Sequence, residues 1–370
     1  MAAATKQKSL FEEYDPLKDK MFQVMDDNGK IVNPKWMPEI DDEKVLEIFK
    51  FMHFARTADL MAVSYQRQGR MYTYPPNLGQ EAISAAIGFT SRPEDWAAGA
   101  FREMGLWMLK GATLKEIFMY WGGYEEGTKF ADAPHLLPVN VPIASQLVHA
   151  TGVGYALKYK KKKGVVFGIV GDGGTSQGDF HEGINFAAVW KAPVVYVIQN
   201  NQYAISVPIS AQTMSKNLAV KSIAYGIPGI KVDGNDYFAM ARTIQEAIKH
   251  AESGKGPVLI EAVTFRKGAH TTSDDPSLYR TTDEEKSWEV KDPLLRLQKY
   301  LESKKLWKEE DNEKLLEEYR KEVDAQFKAY EEHTPYEVDD VFDYHYKDMP
   351  EDLLKQKIEY QKFLNWEKTQ

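Results

Sequence analysis

The stretch GDGGTSQGDF, residues 171–180, follows the apolar run VVFGIV and opens a segment with helical character. Its reading decides the fold, because two parses place different chemistry at one turn. Taken from Gly174, GTSQG satisfies the G-x-S-x-G pattern of a serine hydrolase, and Asp233 and His270 follow in the chain order of that fold. Taken from Gly171, it is a Gly-Asp-Gly turn that can hold a cation and an anionic group. The spacing disfavours the hydrolase. A nucleophile elbow puts its serine directly off the strand, whereas GDGG intervenes here and Ser176 falls at the helix start, where capping free N–H groups is an ordinary job. A dinucleotide fingerprint fails as well: the sixth position of the G-x-G-x-x-G is Ser176, and the next strand ends in QNN rather than an acid for the ribose.

Outward from the turn, helix-like and strand-like patterns alternate. ASQLVHATGVGYALKYK precedes VVFGIV, FHEGINFAAVW precedes VVYVIQ, and FAMARTIQEAIKHA precedes VLIEAVTF. Apolar strands taking turns with helices predict an α/β fold, a doubly wound and mostly parallel sheet with helices on both faces. Upstream, DDEKVLEIFKFMHFARTADLMAVSYQRQG has apolar residues at helical spacing, acids in its first turn and Gly69 past its end, which predicts one long helix. Residues 1–40 carry charges, Pro16, Pro34, Pro38 and the turn DDNGK, and read as an N-terminal arm with a short hairpin rather than a core element. From Asp283 the patterns become long, charged and helical. The expected division is an arm (1–40), one domain (41–340) and a helical tail (341–370), with no internal repeat and no Gly/Ser linker.

A chain of 370 residues can bury a core without staples. It has no cysteine, so disulfides and thiolate metal sites are excluded. A net charge of −8 argues against a nucleic-acid footprint, and the one basic run, KYKKKKG from Lys158, reads as a solvated turn after a helix end. No uninterrupted apolar stretch reaches about 18 residues, and MAAATKQKSLFEEYDPLKDK has no apolar signal core. The expectation is a cytoplasmic protein with neither nucleic-acid nor membrane partners.

In an open α/β sheet, ligands sit beyond the carboxyl ends of the strands. Asp172 leaves one strand there and Asn200–Asn201 leave the next. Asp172 offers a charge, while Asn201 and a nearby main-chain carbonyl offer neutral oxygens. Mg²⁺ takes such a near-octahedral oxygen set, and a diphosphate can complete it. Gly173 and Gly174 let the backbone approach phosphates at a helix start, where N–H groups favour anions. Asp179 and Glu182 share a helix face and read as first-turn acids. The polar loop RKGAHTTSDDPSLYR is expected to be exposed, so His270 should titrate near neutrality and be able to donate a proton.

A Gly-Asp-Gly turn followed after the next strand by Asn-Asn resembles the thiamine diphosphate signature. FREMG, VPIASQ, GDGGTSQGDFHEGINFAAVWKAPVVYVIQNNQYAIS, GIPGIKVDGND and FRKGAHTTSDDPSLYR then follow in the order seen in alpha subunits of heterotetrameric 2-oxoacid dehydrogenases. FQVMDDNGKIV resembles their Gram-positive bacterial members. The resemblance covers residues 40–340 and implies thiamine diphosphate and Mg²⁺ as cofactors. It makes Asp172, Asn201 and the Tyr203 carbonyl the metal ligands, sets Gly173 and Gly174 along the diphosphate, puts Arg102 on a phosphate and Ile143 beneath the bent cofactor. It makes His270 the active-site histidine of a mobile loop ending in Tyr279 and Arg280, and sets Asp179 and Glu182 near a channel between paired active sites.

Two departures from the family pattern touch the cofactor or substrate mouth. Phe101 stands at a cofactor-binding position where relatives carry Tyr, and YPPNLGQE replaces a histidine-bearing turn. His135 lies near where the family often has another catalytic histidine, in a segment that matches poorly. The implied activity is oxidative decarboxylation of pyruvate with reductive acetylation of the lipoyl group of a dihydrolipoyl acyltransferase; branched-chain 2-oxoacids and acetoin are the alternative substrates. Such enzymes need a glutamate on the aminopyrimidine, from a second domain for which 370 residues leave no room. In relatives a beta subunit supplies it, so the resemblance implies an α2β2 heterotetramer. A remnant that binds without turnover is the rival reading, and the presence of Asp172, Asn201 and His270 argues against it.

Overall fold

A computed structural model of the chain describes residues 8–370; residues 1–7 of the expected arm lie outside the described residues. The strands in chain order are β1 (Trp96–Ala98), β2 (Val166–Gly171), β3 (Val194–Asn200), β4 (Tyr203–Ala204), β5 (Val207–Pro208), β6 (Gly229–Asp233) and β7 (Val258–Val263). β4 and β5 form a small antiparallel ribbon, and the others make one parallel sheet in the order β1-β2-β3-β7-β6.

Strand period explains why β2 and β3 are apolar throughout. Val166, Val170, Val194, Tyr196 and Ile198 pack with Leu147, Ala150, Phe180 and Ile184 from helices Ser145–Tyr159 and Gly178–Trp190. The intervening Phe167, Ile169, Val195 and Val197 are equally buried. They point to the other side, where helix Tyr237–His250 packs on the sheet and helix Glu81–Thr90 packs on that helix. Gly168 is what lets helix Ser145–Tyr159 come so close, since a Cβ there would stand 3.1 Å from Ala150 Cβ and Leu147 Cδ2. The expected doubly wound sheet is present. The long upstream helix is Asp42–Arg67, with Asp41 accepting from Lys44 N at 2.7 Å and Gly69 at φ +73° beyond its end.

The hairpin expected at DDNGK forms: Asp26 N donates to Lys30 O at 2.9 Å, and Met25 bridges Ile31. The segment around it differs from an arm outside the core. Phe22 extends the sheet by one parallel bridge to Val232 at the β6 edge, and Leu10, Phe22, Val24 and Met25 are fully buried. The physical reason is the open edge of β6, whose Lys231 O and Asp233 N need partners and find Phe22 N (2.8 Å) and Phe22 O (2.9 Å).

The chain divides into two compact units, the first running to Phe327 and the second Lys328–Gln370, with the division inside helix Glu310–Glu331 rather than at a linker. In the second unit, Lys357 from helix Glu351–Glu367 pairs with Asp339 (2.6 Å) and Asp343 (2.7 Å) of helix Val338–Asp343. Among the described residues no helix is long and apolar enough to cross a membrane.

Candidate active site

β2 and β3 are paired in parallel with Gly171 opposite Gln199, so the residues that leave their carboxyl ends emerge side by side. Asp172 opens the tight turn Asp172–Ser176 and is 2% exposed. No lysine or arginine among the described residues pairs with it; burial pushes its carboxyl up, opposed by a hydrogen bond from Gln212. The Asn201 carboxamide faces Asp172 Oδ1 at 3.2 Å and the Tyr203 carbonyl at 3.1 Å. With its nitrogen inward it donates to both. With its oxygen inward, three oxygens converge, an arrangement that costs energy unless a cation lies among them. Metal–oxygen distances of about 2.0–2.1 Å put neighbouring octahedral oxygens about 3 Å apart, so the set suits a small hard cation. No group of three or more His, Cys, Asp or Glu at metal-binding distance occurs among the described residues. A cation here would therefore take one carboxylate and neutral oxygens.

The sequence-singled residues Phe101, Arg102, Ile143, Asp172, Gly173, Gly174, Asn201, Tyr203 and His270 line one cavity of about 240 Å³. Its floor explains the glycines: a Cβ on Gly173 would stand 2.6 Å from Ala204 Cβ, and one on Gly174 would stand 2.2 Å from Val170 Cγ2. Arg102 is buried and donates to the carbonyls of Pro76 and His270, the latter at 2.9 Å. Burial, then the neighbouring Arg266 charge, pull its guanidinium down to about 10. A buried cation whose hydrogen-bond partners are neutral carbonyls suits an anionic ligand, with Asp59 and Glu103 offsetting part of its charge. Three cavity-lining glutamines also keep a buried amide atom unpartnered: Gln80 Nε2, Gln146 Oε1 and Gln199 Oε1. The cavity thus fits a polar, anionic group held with a divalent cation.

His270 departs from the expectation of a group titrating near neutrality. Burial first, then Arg102 and Arg266, lower it from 6.5 to about 4, so the imidazole is neutral at neutral pH. Its loop is also less exposed than its composition implies. Thr272 N donates to Tyr74 O (2.9 Å), Asp274 Oδ2 accepts from His270 N (2.8 Å) and Tyr279 Oη (2.5 Å), and Arg280 is buried against the carbonyls of Arg266 and Gly268. Tyr279 and Arg280 lie outside the cavity lining and pin the loop instead.

Asp179 and Glu182 share their helix but do not line the cavity, and Glu182 is exposed. His135 is elsewhere too, its ring 4.9 Å from that of Trp96. Ser176 is exposed and does not cap the following helix, whose N-cap is Gln177 and which has no side-chain cap. Asp233, the would-be triad acid, is taken by Arg296 (2.8 Å) and Gln23 (3.0 Å) rather than by His270.

Sequence reasoning missed Glu103, which underlies the Arg102 turn. Its carboxyl accepts from Gln199 Nε2 (2.6 Å) and Arg102 N (3.0 Å), and burial pushes it up to about 7. It also missed Asp59, buried in the long helix, which accepts from Tyr74 Oη (2.7 Å) and Asn77 N (2.6 Å) and so fixes the turn that contacts Arg102. Arg266, in the quoted FRKGAH, was the third: it donates to the Tyr203 and Ile205 carbonyls at 3.0 and 2.7 Å.

A family model described as dehydrogenase E1 component matches residues 49–338. A protein of Acholeplasma laidlawii named pyruvate dehydrogenase E1 component subunit alpha is 45% identical over 341 residues, 92% of this chain and 99% of its own length. Proteins of the same name from Staphylococcus aureus and Staphylococcus epidermidis are 42% and 40% identical over 340 residues, covering 92% of each chain. In sequence from end to end of that match, the chain belongs to the dehydrogenase E1 component family.

Proposed function

We propose that the chain is the alpha subunit of a pyruvate dehydrogenase, which oxidatively decarboxylates pyruvate and acetylates the lipoyl group of a dihydrolipoyl acyltransferase. The observation that carries this reading is the convergence of the Asp172–Gly174 turn, the Asn201 and Tyr203 oxygens, Arg102 and His270 on one cavity. The family depends on thiamine diphosphate. In this chain Asp172, Asn201 and the Tyr203 carbonyl would hold Mg²⁺, with the diphosphate beside Gly173, Gly174 and Arg102. When bound, thiamine diphosphate supplies the electron sink for loss of CO₂. Phe101 and Ile143 give the pocket an apolar wall against which the cofactor would lie. His270, neutral and tethered to Arg102, is placed to donate a hydrogen bond or carry a proton.

The reading extends to assembly. A beta subunit completes the site in an α2β2 arrangement in the cytoplasm, with residues 41–340 holding the cofactor. Asp179 and Glu182, which do not line this cavity, would lie near a channel between paired active sites. Relatives named for pyruvate favour that substrate over branched-chain 2-oxoacids and acetoin. Purifying the chain with and without its beta subunit, and assaying each with the three substrate types and an artificial electron acceptor, tests the proposal. Pyruvate turnover only by the pair is expected. Turnover by the chain alone rejects the half-site, and a preference for acetoin rejects the substrate.

A further inference from the structure

The fold treats the two oxygens of the Asp172 carboxylate differently. Oδ1 faces the Asn201 carboxamide at 3.2 Å, whereas Oδ2 accepts from Gln212 Nε2 at 2.8 Å. Gln212 ends the short helical turn Ile209–Gln212, and the same nitrogen reaches Val207 O at 3.3 Å, so it fastens the segment after β5 to the acid. The other end of that segment is fixed as well. Arg266 holds the carbonyls of Tyr203 and Ile205, and Ala204 occupies the space that the missing Cβ of Gly173 leaves. Gln212 is therefore not a loose surface side chain but a directed donor on a fixed support.

A carboxylate with one oxygen held by a directed donor cannot readily turn both oxygens toward one ion. Coordination number makes this matter. Mg²⁺, at about 2.0–2.1 Å and strictly six-coordinate, suits a carboxylate giving one oxygen, while Ca²⁺, at about 2.3–2.6 Å with 6–8 ligands, readily takes both. Partners of metal ligands commonly tune a site without touching the ion, and their loss costs about 10- to 100-fold in metal affinity. We infer that Gln212 is a positioning residue that holds Asp172 to one-oxygen coordination and so selects Mg²⁺ over larger divalent cations. The inference rests on the reading of Asp172 as the metal-bearing acid. Gln212 contributes no charge of its own, so its effect is on geometry and selectivity rather than on the field that attracts the ion.

The test uses the chain assembled with its beta subunit and stripped of metal. The concentrations of Mg²⁺ and of Ca²⁺ that half-saturate thiamine diphosphate binding are read from tryptophan fluorescence, for the native chain, Gln212→Met and Gln212→Glu. Gln212→Met keeps the length and removes the donor; Gln212→Glu replaces the donor with an acceptor that repels Oδ2. In both, the Mg²⁺ requirement should rise relative to that for Ca²⁺, with a loss for Mg²⁺ of about tenfold or more in the Met variant. A ratio unchanged from the native chain, whatever the overall affinity, overturns the inference. If the Met variant does not assemble, the Glu variant decides. Asp172→Ala separates the two levels: metal-dependent cofactor binding surviving in it would defeat the reading of Asp172, whereas its loss beside an unchanged ratio at Gln212 defeats only the selectivity.

Discussion

The Arg102 guanidinium lies 2.9 Å from the carbonyl oxygen of His270 and 3.4 Å from its Nδ1, so the cation and the imidazole form one electrostatic unit. The cation makes the imidazole harder to protonate. His270 is pulled down to about 4, burial leading and Arg102 following. Between pH 6.5 and about 4 the unfolded chain binds a proton at this histidine that the folded chain refuses, so stability falls as pH drops through that window and gains nothing from this group above it.

Arg102→Gln should therefore raise the His270 midpoint part of the way toward 6.5, burial keeping the rest of the shift. NMR titration of the ring carbons measures it. A midpoint left near 4 would mean that Arg102 contributes nothing.

The two parses of residues 171–180 separate cleanly in mutants. Asp172→Ala should abolish metal-dependent cofactor binding, because Asp172 is the carboxylate that faces the Asn201 carboxamide beside the Tyr203 carbonyl. Ser176→Ala should keep most of the activity. Labelling of Ser176 by a fluorophosphonate with loss of turnover would contradict both the exposed, unpaired serine and the reading built on it.

The glycines of the turn should fail in different ways. Gly174→Ala forces a Cβ to 2.2 Å from Val170 Cγ2 in the packed core, a cost of about 1–3 kcal/mol seen as a lower melting temperature. Gly173→Ala meets Ala204 at the cavity wall, so cofactor affinity should drop more than stability does. Thermal melts beside cofactor titrations check the split; equal behaviour would contradict it.

Tyr279→Phe removes the hydroxyl that joins Asp274 Oδ2 (2.5 Å) and Arg266 Nη2 (3.0 Å). A lost hydrogen bond to charged partners is worth about 1.5–3 kcal/mol. The loop around His270 should be nicked faster by protease, with the melting temperature of the core little changed. Unchanged cleavage would show that Arg280 and Thr272 suffice to hold it.

The metal-side residues were legible because chain order fixes them. Asp172 and Asn201 each follow a strand, and parallel strands that pair in register must deliver their next residues to one place. Burial and distant partners are another matter. Glu103 matters through Gln199, and His270, lowered first by burial, is lowered further by Arg102, 168 residues earlier in the chain. No local pattern carries such a pair. β1 was illegible for a simpler reason: three residues, Trp96–Ala98, are too few to show a period. The N-terminal segment misled because charge and proline hid four short apolar anchors whose burial depends on an edge supplied by residues 229–233.

That edge sets the order in which a nascent chain can finish itself. Phe22 needs Lys231 and Asp233; the amides of Val24 and Met25 both go to Asp236 Oδ2 at 2.7 Å; and Arg296, paired with Asp233, also holds the Met25 carbonyl. Every one of these partners leaves the ribosome more than 200 residues after the segment that needs it. What is translated first can dock only after more than 200 further residues have been made, and until then Phe22, Val24 and Met25 are apolar side chains without the strand edge and the acid that receive them.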